Sequence, residues 1–177
     1  EDAAPVTVDL EVQVGLQLAR MLGYVNDPAQ PDCAFGHLTS GGTVANYQAL
    51  RLALALKAFP VALQAAGVPD IALPDDTWGA FNLAPRESTL LVEQWQQWLA
   101  QASPADRKLW QARVREERIE QRGLADFFAT HPTLQVPKVL APITAHYSWS
   151  KGCKLLGLGR AQLELLPERG MRVDTDA

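Results

Sequence analysis

The stretch Gly36-His37-Leu38-Thr39-Ser40-Gly41-Gly42-Thr43-Val44-Ala45-Asn46 stands at the mouth of a long Ala- and Leu-rich apolar segment, Val44 to Ala66. Paired glycines and hydroxyl residues ahead of such a segment predict a helix N-terminus. Its first N–H groups have no acceptor inside the helix, and the glycines let another group approach the backbone closely. Such an end can seat an anion or a phosphate; the plainer reading is a helix cap and nothing more. Apolar residues lie on more than one side of the segment (Val44, Tyr47, Leu50, Leu52, Leu54, Leu56), which predicts packing on several faces. Pro60 is expected to kink or end the helix.

The totals exclude several classes. At 177 residues the chain can bury a sizeable core as one domain. A net charge of -4 and a pI near 5.3 give no electrostatic case for nucleic acid or an anionic membrane. Lys57, Pro60 and Gln64 interrupt the longest apolar run, Leu52 to Ala66, which argues against a bilayer span. Cys33 and Cys153 form no CxxC pair, so reduced thiols and a cytoplasmic location are expected. No spacing of histidines, cysteines and acids suits a metal. The start at Glu1 and the end at Asp174-Thr175-Asp176-Ala177 suggest a piece of something longer.

Along the chain, Asp9 is placed to cap a helix carrying Leu10, Val14, Leu18, Met21 and Leu22, with Gly23 as its stop. Asn26 to Asp32 is a loop, and Gly67 to Pro85 reads as loop with one short strand. Ser88 opens a helix with Leu91, Trp95, Trp98 and Leu99 on one face; Ser103-Pro104 with Asp106 begins another that runs to Gly123. The arginines between Arg113 and Arg122 interleave with Glu116, Glu117 and Glu120, the pattern of a solvated face with local ion pairs. The tryptophans read as core or interface anchors.

The last third changes rhythm. Lys138-Val139-Leu140-Ala141 predicts a strand, Ser150 to Leu156 a short helix, and Gln162 to Leu166 a second strand. This is a βαβ unit, which implies an α/β fold with a parallel sheet covered by helices. Ligands bind beyond the carboxyl ends of such strands, where His146 falls. His146 is therefore the sharpest candidate for chemistry, against the plainer reading of a hydrogen-bonded core histidine. Ser40 lacks a nucleophile elbow, and Gly42-Thr43-Val44 lacks the lysine of a nucleotide phosphate loop.

Two segments together, Gly36 to Asn46 and Ala145-His146-Tyr147-Ser148-Trp149-Ser150-Lys151-Gly152 with Leu156-Gly157-Leu158-Gly159, resemble the group II pyridoxal phosphate-dependent amino acid decarboxylases. The flanks Ala19-Arg20-Met21-Leu22-Gly23-Tyr24 and Arg172-Val173-Asp174-Thr175-Asp176 also match, whereas residues 67–135 look variable and insertion-like. The versions here are most similar to bacterial tyrosine-decarboxylase-like members. The resemblance implies that residues 1–177 are an internal part of a fold-type I (aspartate aminotransferase-like) large domain. It implies that Gly42 and Thr43 hold the phosphate of pyridoxal 5'-phosphate, that Asn46 supports them, and that His146 stacks on the cofactor ring and takes part in catalysis.

The implied reaction is decarboxylation of an L-amino acid, aromatic before glutamate, in a homodimer. The family's Schiff-base lysine and the aspartate facing the ring nitrogen fall downstream of these residues, so the 177 residues alone are expected to be inactive. The rival readings are another lyase or an aminotransferase on the same scaffold, and a non-catalytic assembly or binding domain.

Overall fold

The computed structural model describes residues 5–30 and 32–175, without the side chains of Pro5 and Val6. Pro31 of the expected loop and Asp176 of the terminal flank lie outside the described residues. The architecture is α/β, mostly helices with small sheets. The chain divides into two compact units, Glu1–Ala45 and Asn46–Ala177.

In the first unit, helix α1 (Pro5–Leu22) begins ahead of Asp9, which therefore lies inside the helix and does not cap it. The helix ends at Gly23 as expected; a φ of 80° there turns the chain, and Tyr24 N–H donates to the Ala19 carbonyl at 2.9 Å. The returning segment passes close to α1. A Cβ on Gly15 would lie 2.8 Å from the Gly36 carbonyl oxygen, so only glycine fits there. Leu38 N–H donates to Glu11 Oε1 at 2.6 Å, which fastens the run-up to the glycine pair onto α1.

Helix α2 (Gly42–Ala66) starts in the last residues of the first unit and continues into the second. Pro60 does not end the helix, which runs on to Ala66. Residues 58–63 are all buried, so core packing outweighs the proline penalty, of order 3 kcal/mol. The expected many-sided packing is met only in part: Leu52 is exposed, and the residues that pack on several sides in the second unit lie mostly further along, from Leu54 to Leu63. Ala58 and Val61 join Phe81, Ile119 and Phe127 in one cluster, and Phe59 and Leu63 join Leu91, Trp95 and Val114 in a second. Leu54 also packs against a third cluster of Ala141, Cys153, Leu158 and Leu163. By length and composition α2 would be able to cross a membrane, despite Lys57, Pro60 and Gln64. Its burial in these clusters is a sufficient cause of the same apolarity.

Between α2 and the strands the chain is helical. No strand forms in the described 67–85 segment; α3 (Thr77–Phe81) forms instead, with Asp76 Oδ1 accepting from Gly79 N–H at 2.7 Å. Helix α4 (Pro85–Gln101) starts before Ser88, because Glu87 Oε2 accepts from Ala84 N–H at 2.8 Å and Ser88 is buried inside the first turns. Helix α5 (Pro104–Glu117) has the expected cap, Ser103 Oγ accepting from Asp106 N–H at 3.1 Å. The helix expected to reach Gly123 breaks at Arg118, whose ψ is 141°. Helices α6 (Ile119–Arg122) and α7 (Leu124–Thr130) follow, divided by Gly123. The charged run forms local ion pairs as expected: Arg122 with Glu117 and with Asp126, each at 2.8 Å, and Arg118 with Glu120 at 2.6 Å. Trp95 is buried and stacks on Trp98 at 5.6 Å, and Trp110 meets Trp98 edge-on at 6.2 Å, as core residues do.

Strand β1 (Val139–Pro142), helix α8 (Ser148–Leu155) and strand β2 (Leu163–Leu166) form the expected βαβ unit. The strands pair in parallel from Val139 opposite Leu163 to Pro142 opposite Leu166. Among the described residues this pair is the whole parallel sheet, smaller than a mainly parallel sheet between helices. A separate antiparallel ribbon, β3 (Glu168–Arg169) with β4 (Arg172–Val173), follows.

Candidate functional site

The strand β1 ends at Pro142, and Ala145 N–H donates back to the Pro142 carbonyl at 2.8 Å, closing a tight turn. His146 comes next, exposed, at the carboxyl end of the strand and the entrance to α8. Its carbonyl accepts from Trp149 N–H at 3.2 Å, which makes the residue part of the α8 N-terminus. The imidazole lies 4.1 Å, centroid to centroid, from the ring of Tyr147, and Lys151 Nζ sits 4.4 Å above that tyrosine.

The imidazole is tied inward as well. His146 Nδ1 is 2.9 Å from Ser148 Oγ, and Ser148 N–H donates to the same nitrogen at 3.3 Å. Ser148 is fully buried, and its Oγ accepts from Asn46 Nδ2 at 2.7 Å. Two of the sequence candidates, Asn46 and His146, are therefore joined through Ser148, whose part depends on the meeting of Asn46 with the histidine loop. The alternation His-Tyr-Ser was its signal, since a side chain two residues past the histidine can turn back onto it.

The approach of α8 to α2 that permits this contact depends on Gly152. A Cβ there would fall 2.7 Å from Leu50 Cδ1 and 3.2 Å from Tyr47 Cδ1, so the helices meet where a side chain has been omitted.

Gly42 and Thr43 occupy the first turn of α2. Val44 and Ala45 N–H groups both donate to the Gly41 carbonyl, at 3.1 and 3.2 Å, which marks where the helical ladder begins. The Gly42 and Thr43 N–H groups precede it and have no acceptor within the helix. Gly41 has a φ of 114°, and a Cβ on Gly41 or Gly42 would meet no heavy atom within 4 Å. Both glycines face open space. The Asn46 amide nitrogen donates to Ser148 Oγ, which ties this residue to the histidine loop.

The other two histidines pack against aromatic rings. His37 lies beside Phe35, with ring centroids 6.0 Å apart. His131 packs on Phe127 at 4.9 Å; its Nε2 is buried without a hydrogen-bond partner among the described residues. Burial, and then the charge of Arg122, lower its pKa, with Glu117 opposing. Cys153 is fully buried, and burial raises its thiol pKa.

The chain is similar to curated proteins with one activity in their names. It is 25% identical over 177 residues to the L-tyrosine decarboxylase of Levilactobacillus brevis, covering 99% of this chain and 24% of that protein. It is 24% identical over 174 residues to the L-tyrosine decarboxylase of Enterococcus faecalis, covering 98% of this chain and 24% of that protein. The enzyme of the same name from Enterococcus faecium is 22% identical over 177 residues. No protein-family model matches the sequence. The chain thus spans about a quarter of the length of the curated relatives it matches.

Proposed function

We propose that this chain is part of a group II, pyridoxal 5'-phosphate-dependent amino acid decarboxylase, within a large domain of fold-type I. The full-length protein converts an L-amino acid to its amine and carbon dioxide, with a tyrosine-like aromatic substrate favoured over glutamate. One observation carries the reading. Asn46, from the glycine segment, and His146, from the histidine segment, are held together through Ser148, and these are the segments on which the family resemblance rests. The names of the L-tyrosine decarboxylase relatives support the same activity.

The residues present suit the cofactor. The first-turn N–H groups of Gly42 and Thr43, with the Thr43 hydroxyl, would hold its phosphate, because a dianion gains from oriented donors and from the helix dipole. The glycine pair leaves the space such a group needs. His146, restrained by Ser148 and Tyr147, would present its ring face to the cofactor ring. When bound, pyridoxal phosphate supplies the electron sink for the pair left behind as the carboxylate departs. The chain's own part is to bind the phosphate, fix the ring plane and orient the substrate. The lysine that anchors the cofactor belongs, on this reading, to a later part of a homodimeric protein.

The test is product analysis on full-length protein supplied with pyridoxal phosphate and tyrosine, phenylalanine, tryptophan, DOPA or glutamate. The expected result is an amine, from tyrosine before the others. A keto acid in place of an amine would move the assignment to an aminotransferase, and no turnover of any of them would overturn it.

A further inference from the structure

Ser148 and Ser88 are the buried polar residues among those described, and only Ser148 lies against a candidate site residue. Its hydrogen bonds have a direction. The Ser148 backbone N–H, 3.3 Å from His146 Nδ1, can only donate, so Nδ1 must carry a lone pair and no hydrogen. The Ser148 hydroxyl, 2.9 Å from the same nitrogen, must then donate to it as well. That leaves the lone pairs of Oγ to accept from Asn46 Nδ2 at 2.7 Å. With Nδ1 bare, the hydrogen of the neutral ring is on Nε2.

We propose that Ser148, itself oriented by Asn46, is a positioning residue that holds His146 as the Nε2–H tautomer. The histidine then offers a hydrogen-bond donor, and no basic nitrogen, on its edge away from Ser148. The consequence for catalysis rests on the decarboxylase reading: such an edge suits an anionic oxygen of substrate or cofactor and cannot serve as a general base. Asn46, in this account, sets proton placement on the ring and does not contact the phosphate.

The test needs no cofactor and no turnover. A bare imidazole nitrogen attacks a carbonyl of diethyl pyrocarbonate, taking a carbethoxy group as carbon dioxide and ethanol leave, and mass spectrometry of the digested full-length protein reads the modification at His146 alone. In the wild type the bare nitrogen is capped twice, so His146 should react slowly for an exposed histidine. Ser148→Ala removes one donor and should speed modification about tenfold, the effect of losing one hydrogen bond. Ser148→Thr keeps the hydroxyl and should restore the slow rate.

Asn46→Asp replaces the donor with an acceptor. The Ser148 hydroxyl would turn to the carboxylate and leave Nδ1 capped by the backbone N–H alone, so His146 should react about as fast as in Ser148→Ala. Circular dichroism establishes that each variant is folded, and Asn46→Asp changes too few atoms to depend on the fate of Ser148→Ala. Equal rates in the wild type, Ser148→Ala and Asn46→Asp would overturn the inference. If those rates are equal while amine still forms, the tautomer assignment fails and the decarboxylase reading stands. If the rates differ as stated and no amine forms, the reverse holds.

Discussion

Gly152 decides how near α8 comes to α2, and through that distance whether Asn46 reaches Ser148. A valine there would press on Leu50 and Tyr47, neither of which is fully exposed and free to swing away. Gly152→Val should cost about 1–3 kcal/mol of stability, as overpacking does. It should also speed modification of His146, since separating the helices lengthens the Asn46–Ser148 hydrogen bond. A urea titration alongside the modification rate checks both, and unchanged values would remove Gly152 from the account. The same site shows what one residue discloses in a sequence. Ser103 was legible as a cap because cap and partner are adjacent in the chain. Ser148 was not, because Asn46 lies far away in sequence and only the packing of α8 on α2 brings it close.

At the level of elements, period and punctuation placed α2, the start of α5, β1 and β2 well, and the parallel pairing followed from the length of the connection. Others differ for physical reasons. The helix α4 starts early because Glu87, not Ser88, bonds its first backbone donor. Helices α3 and α7 are too short to show a period of their own and are held by Phe81 and Phe127 in the shared cluster. The β3–β4 ribbon turns through Gly170 and Met171, both with positive φ (59° and 61°), and methionine gives no sign of such a turn.

The helix α7 also carries the clearest dependence on pH. Its following residue, His131, is half-buried against Phe127 within the fields of Arg122 and Glu117, with a pKa below the ordinary 6.5. The unfolded chain therefore takes up this proton before the folded one, and stability should fall as pH drops below that value toward the lowered pKa. His131→Phe removes the proton site while keeping a ring beside Phe127. Comparing urea midpoints at about pH 7.5 and about pH 5.5, the wild type should lose more on acidification than His131→Phe. An equal loss in both would show that His131 does not set the slope.

Across the whole molecule, the candidate residues were legible where they stand as residue types in fixed order: the glycine pair with a hydroxyl, and the histidine after a strand. What the sequence could not show was the join between Asn46 and the histidine loop, which exists only in the fold. Several large apolar side chains are exposed, among them Met21, Phe35 and Leu155. The proposal as a whole is a carbon–carbon bond cleavage at an amino acid α-carbon. Full-length protein, pyridoxal phosphate and L-tyrosine labelled in the carboxyl carbon test it most directly. The account predicts label released as carbon dioxide in step with tyramine. Label retained in a keto acid, or in unchanged tyrosine, would contradict it.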